Sequence, residues 1–80
     1  MNKNEIVEKL TEIFRTTFND QELVLNDNMN AGDVETWDSL THMLMVSEVE
    51  SQFGIRFKLK ELNHLKTVGD IVSILEEKLK

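Results

Sequence analysis

No proline interrupts this chain, and only three glycines, Gly32, Gly54 and Gly69, punctuate its 80 residues. Proline lacks the amide donor a helix needs, and glycine loses the most backbone freedom when it is ordered. A chain poor in both favours uninterrupted helices over hairpins. It also has no cysteine, which excludes disulfide staples, a thiolate zinc site and a cysteine nucleophile. A chain of this length forms one domain, here residues 1–80. Such a domain buries only about two-thirds of the surface its unfolded chain exposes, so a large internal active site is not expected.

Apolar spacing places the helices. Ile6, Val7, Leu10, Ile13, Phe14 and Phe18 follow the i, i+3/i+4, i+7 pattern of a one-sided helix. Residues 19–38 show no sustained period and carry the turn-prone Asn19-Asp20, Asn26-Asp27-Asn28 and Ala31-Gly32-Asp33. Loops of this length are usually functional or disordered. Leu23, Leu25, Met29, Val34 and Trp37 are scattered through it, which predicts an ordered loop packed down over the helices. A second helix begins near Ser39, capped by Asp38, and runs to about Phe53 before Gly54 stops it. Residues 55–66 admit a short helix near 59–65. The last helix opens at Thr67-Val68-Gly69-Asp70, a capping-box-like signal with Asp where Glu or Gln is usual. The expected fold is all-α: a small four-helix bundle with three longer helices, a short third one, and a long loop between helices one and two.

The second helix has too many apolar residues for one core stripe. At about 100° per residue, Met45, Val46, Val49 and Phe53 share one arc, whereas Leu40, Met43 and Leu44 lie roughly opposite with Ser47 among them. A bundle this small cannot bury both sides, so an exposed apolar patch is expected near the helix start. The loop folding over that patch is the alternative.

Nine basic and fifteen acidic residues give a net charge of −6. Residues 19–38 carry six acids (Asp20, Glu22, Asp27, Asp33, Glu35, Asp38) and no basic residue, whereas residues 54–80 carry six basic residues against four acids. The middle of the chain would repel nucleic acid. Its expected partners are proteins with basic docking surfaces, reached by salt-sensitive steering. An apolar patch rimmed by acids fits the same reading. No apolar run approaches ~18 residues, and Met1-Asn2-Lys3-Asn4-Glu5 lacks the apolar stretch of a signal peptide. The expectation is a soluble, cytoplasmic monomer without membrane insertion.

Ser39 sits where the acidic loop meets the second helix. A serine there is most often only a cap, but a side chain on the first turn is exposed and lies beside the positive end of the helix dipole, which suits a phosphate ester. Asp38 places a carboxylate directly before that hydroxyl, where it can help hold a metal used by a modifying enzyme.

Asp38-Ser39-Leu40 is similar to the Asp-Ser-Leu attachment motif of the acyl carrier protein family. Glu48-Val49-Glu50-Ser51-Gln52-Phe53-Gly54-Ile55 resembles its helix end followed by Phe-Gly-Ile. Lys66-Thr67-Val68-Gly69-Asp70-Ile71-Val72 resembles the stretch opening its last helix. Together they span nearly the whole chain in order. The resemblance implies a covalent 4′-phosphopantetheine on Ser39, delivered from coenzyme A by a phosphopantetheinyl transferase with Mg²⁺, with Asp38 assisting transferase recognition. The arm's thiol would carry acyl or aminoacyl groups as thioesters, which accounts for a thioester carrier without cysteine. Leu40, Met43, Leu44, Ser47 and Glu48 would form the helix read by acyl-activating, synthase or transferase enzymes of fatty acid or polyketide biosynthesis. The carrier itself would not be catalytic. Helix two has only two acids, Glu48 and Glu50, and Arg56, Lys58 and Lys60 stand in a region usually acidic in carriers of fatty acid synthesis. The Trp37-Asp38-Ser39-Leu40-Thr41-His42 form looks more like discrete carriers of specialised pathways.

Other residues have plainer readings. His42 falls within the core-facing stripe, satisfied by a hydrogen bond under the loop, or else lining the mouth of a cleft for the acyl chain. Trp37 reads as an amphipathic plug holding the loop to a helix. His42 and His64 lie far apart without a repeated ligand pattern, so no metal site is expected. Asp27–Asp38 fails as a calcium loop because Met29 and Ala31 stand where oxygen ligands are required. Ser39, His42 and the acids resemble a hydrolase set, but the chain is too small for the pocket and oxyanion hole such chemistry needs. An unmodified acidic helical interaction module is the competing class.

Overall fold

The computed structural model describes all 80 residues and contains four helices. These are α1 (Lys3–Thr17), α2 (Ser39–Phe53), α3 (Leu59–Leu62) and α4 (Val68–Lys78), with one 3-10 turn at Ala31–Asp33 inside the long loop. The bundle expected from apolar spacing is the one observed. No helix is long and apolar enough to cross a membrane.

α1 is the central element, packing on both α2 and α4. Its Ile6, Leu10, Ile13 and Phe14 are buried on a single face. Asn2 caps it by accepting from the Glu5 amide at 2.9 Å, while the Asn2 amide donates to Glu5 Oε1. The core is wholly apolar, with no buried polar residue. α2 contributes Met45, Val46, Val49 and Phe53, and α4 contributes Val68, Ile71, Val72 and Leu75. Lys9 Nζ lies 5.2 Å from the centroid of the Phe53 ring, joining α1 to the far end of α2.

The long loop is tied down at both ends. Thr36 Oγ1 donates to the Phe18 carbonyl and Arg15 Nε to the Leu23 carbonyl, both onto the end of α1 or its exit. At the other side, the first two amides of α4 are satisfied by the loop, and the third, of Asp70, by the Thr67 side chain. Val68 N–H donates to the Met29 carbonyl and Gly69 N–H to the Asp27 carbonyl, each at 2.9 Å. A Cβ at Gly69 would sit 2.9 Å from that Asp27 oxygen, so the close approach requires glycine. Leu23, Met29, Val34 and Trp37 are buried under the loop.

The rest of the chain follows the same logic. Gly54 ends α2 in the left-handed region at φ 65°, where a side chain would be strained. Glu50, one turn earlier, accepts from the Phe57 amide at 2.8 Å and anchors the segment leaving α2. α3 stops at Leu62 rather than near residue 65, because the chain must turn there to bring Leu65 into the core. Glu61 fixes this corner. The Lys58 amide and the Lys78 ammonium, 2.8 Å away, hold its carboxyl below the usual range.

Candidate functional site

The start of α2 is held by a hydrogen-bonded box that leaves its serine untouched. The Thr41 amide donates to Asp38 Oδ1 at 2.9 Å, and the Asp38 amide donates to Thr41 Oγ1 at 2.8 Å. The Thr41 hydroxyl passes its own proton to the Thr36 carbonyl, also at 2.8 Å. Three residues of loop and the first turn of α2 thus form one rigid corner. The Thr41 amide holds the Asp38 carboxyl below the usual carboxylate range, so Asp38 stays ionised beside Ser39. Ser39 is the first residue of the helix, exposed, and its hydroxyl forms no hydrogen bond within the chain.

Beneath that corner lies an aromatic cluster. Trp37 is buried and meets Phe14 edge-on at 5.3 Å between centroids, with Phe18 at the same separation. The tryptophan is the expected plug, and it fixes the loop end to α1. Its indole N–H donates to His42 Nδ1 at 3.1 Å. That bond answers what satisfies His42: the loop does, through Trp37. The two rings are inclined by only 10° with centroids 6.1 Å apart. At that separation, with their nitrogens in hydrogen-bond contact, they lie edge to edge in one plane rather than face to face.

The outward face of α2 is apolar. Leu40, Met43 and Leu44 are 71%, 55% and 53% exposed, while Met45 and Val49 on the opposite side are fully buried. The loop does not fold over them. Ser47 and Glu48 continue the exposed surface, with Glu48 accepting from Gln52 Nε2. Ala31, Trp37, Asp38, Ser39, His42 and Met43 line an open groove of about 560 Å³ between the 3-10 turn and α2. His42 therefore faces the groove beside Ser39. Two features escaped sequence reasoning. Thr41 as the partner of Asp38 was legible as a D-x-x-T spacing, whereas Ala31 as a groove wall carries no sequence signal.

The site is thus an exposed, unbonded serine at a helix start on a small bundle whose core is wholly apolar. Comparison with known proteins supplies the class. Residues 5–75 match the family model for the phosphopantetheine attachment site. The acyl carrier protein of Petrotoga mobilis is 36% identical over 80 residues, covering 99% of this chain and 93% of that protein. That of Thermotoga maritima is 32% identical over 77 residues, covering 96% and 95%. The solution structure of a holo acyl carrier protein from Geobacter metallireducens superposes with a TM-score of 0.86 at 41% identity, over 91% of this chain and 84% of that one. The chain belongs to the acyl carrier protein family. It is a carrier of acyl groups on a 4′-phosphopantetheine arm, and these matches do not favour the unmodified interaction module.

The residues present fit such an arm. A phosphodiester carries a negative charge, and the first turn of a helix presents amide hydrogens and positive potential to it. The Ser39 hydroxyl is exposed and uncommitted, and the adjacent groove offers room for a flexible chain.

Proposed function

We propose that Ser39 carries the arm and that the chain shuttles acyl thioesters between enzymes without catalysing a reaction of its own. The observation that carries this reading is the exposed Ser39 hydroxyl at the start of α2, free of hydrogen bonds and preceded by an ionised carboxylate. In the loading step, the Ser39 oxygen forms a bond to the pantetheine-side phosphorus of coenzyme A, and the diphosphate linkage breaks. The adenosine 3′,5′-bisphosphate portion leaves, and the hydroxyl proton passes to a base of the phosphopantetheinyl transferase. Asp38 keeps one oxygen engaged by Thr41 and offers the other to the transferase or its Mg²⁺.

Leu40, Met43 and Leu44 supply the apolar contact with the transferase and with acyl-activating, synthase or transferase enzymes, and Ser47 and Glu48 extend that surface along α2. Of the two acids on α2, Glu50 is committed to the Phe57 amide. The docking face is thus more apolar than acidic, with Asp38 and Glu48 at its two ends available to basic partner groups. The test is intact mass after incubation with coenzyme A, Mg²⁺ and a broad-specificity transferase. One arm is expected on the wild type and none on Ser39→Ala. No gain on the wild type, or a gain that survives in Ser39→Ala, overturns the proposal.

A further inference from the structure

We propose that the groove beside Ser39 is a seat for the root of the arm, with His42 as its hydrogen-bond donor and the Trp37–Met43–Ala31 walls as its apolar contact. This rests on Ser39 being the attachment site. The indole N–H of Trp37 can only donate, so His42 Nδ1 must accept, and the neutral ring then carries its proton on Nε2. Burial pushes the His42 imidazole below its ordinary value, in the same sense. Nε2 has no partner in the protein, yet it is not a buried unsatisfied atom. It therefore reaches solvent, and the ring geometry points it away from Trp37. The result is a fixed N–H donor that reaches solvent, on a side chain that lines the groove.

Ser39 and His42 are three residues apart on one helix, which brings their Cβ atoms to about 5–6 Å. A phosphodiester on the Ser39 oxygen is then within the span of the imidazole. An N–H bonded to an ionised oxygen is roughly twice as strong as a neutral pair. The carbon chain next to the phosphate bears a geminal dimethyl group, and the groove's apolar lining comes from Ala31, Trp37 and Met43. The occupant is the chain's own arm because Ser39 is itself a groove wall. Tethering raises its local concentration to the millimolar range, so a contact too weak to hold a free ligand is populated. His42 is thus a positioning residue that sets the direction in which the arm leaves the helix.

Nuclear magnetic resonance on the loaded protein tests this, after intact mass has shown the arm on Ser39. Expected in the holo wild type are a shift of His42 Nε2 relative to the apo protein and cross-peaks from the arm's methyl protons to Trp37 and Met43. A ³¹P resonance displaced from that of holo His42→Phe is also expected. The variant keeps a flat ring and loses the donor. An arm present by mass but with coincident ³¹P resonances, or with no cross-peaks to the groove, overturns the seat and leaves the carrier reading intact. Should His42→Phe fail to fold, the apo and holo wild-type shifts of Nε2 decide alone, and identical shifts overturn it. If no arm is added to Ser39, the seat and the attachment site fall together.

Discussion

α1 and α2 have the same length, fifteen residues each, and both begin at a side-chain capping box, yet they spend their apolar residues differently. α1 places Ile6, Leu10, Ile13 and Phe14 on one face and buries all of them. α2 buries Met45, Val46, Val49 and Phe53 and leaves Leu40, Met43 and Leu44 in water. One helix is committed to stability. The other divides its surface between the core and a surface that gains only when another molecule covers it. The comparison predicts that substitutions on α1 act on folding, whereas substitutions on the outer face of α2 act on recognition.

Phe14→Ala should have the largest effect. Phe14 is fully buried against Phe18 and Trp37, and removing such a ring costs about 3–5 kcal/mol. Against a small domain's stability this is a large fraction. A urea midpoint far below that of the wild type is expected; an unchanged midpoint would remove α1 from the centre of the core.

The two capping boxes give a sharper contrast. Asn2→Ala and Asp38→Ala should each cost about 0.5–2 kcal/mol, because each leaves a first-turn amide without its acceptor. Only Asp38→Ala should also slow loading of Ser39, since its corner fixes the segment from Thr36 to Thr41. Equal loading rates for the two variants would show that α2's cap serves the fold alone.

A gentler difference concerns pH. Burial lowers the His42 imidazole from its ordinary 6.5, so in the window below 6.5 the unfolded chain binds a proton that the folded chain refuses. Stability contributed by the neutral ring is complete above that window. It is lost as pH falls through the window and falls no further below the folded value. Stability of the wild type relative to His42→Phe should therefore rise with pH across the window, read by urea titration at a series of pH values. A ratio independent of pH would mean that the ring titrates as it does in water.

Much of this molecule was legible because its signals are local. Helix periods, the stop at Gly54, the Thr67–Asp70 cap and the double-sided apolar pattern of α2 each depend on residues a few positions apart. The family motifs fall at element boundaries: the start of α2, its end at Gly54, and the start of α4. What was not legible depends on contacts across the fold. The loop carbonyls of Asp27 and Met29 that receive the first amides of α4 lie some forty residues from them in sequence. The early stop of α3 likewise reflects the pull of a core on Leu65, which no local spacing reports. His42 stood between two readings because a wheel gives its direction and not its partner; the Trp37 bond supplied the partner.

Met43→Glu should have the smallest effect on folding and is the sharpest test of the contrast between the helices. Met43 is 55% exposed on α2, and surface changes of this kind usually alter stability by less than about 0.5 kcal/mol. Glutamate is a better solvent-facing residue than methionine and a comparable helix former, so helical circular dichroism and the urea midpoint should match the wild type. Loading by the transferase should fall, because an apolar anchor at the centre of a docking face is replaced by a charge that the partner must desolvate. Losses at such positions of about 1–2 kcal/mol correspond to roughly five- to thirtyfold in kcat/KM. A fall in helicity would place Met43 in the core and end the division of α2 into two faces. Unchanged loading with an intact fold would leave the exposed leucines, Leu40 and Leu44, as the contact and Met43 as a bystander.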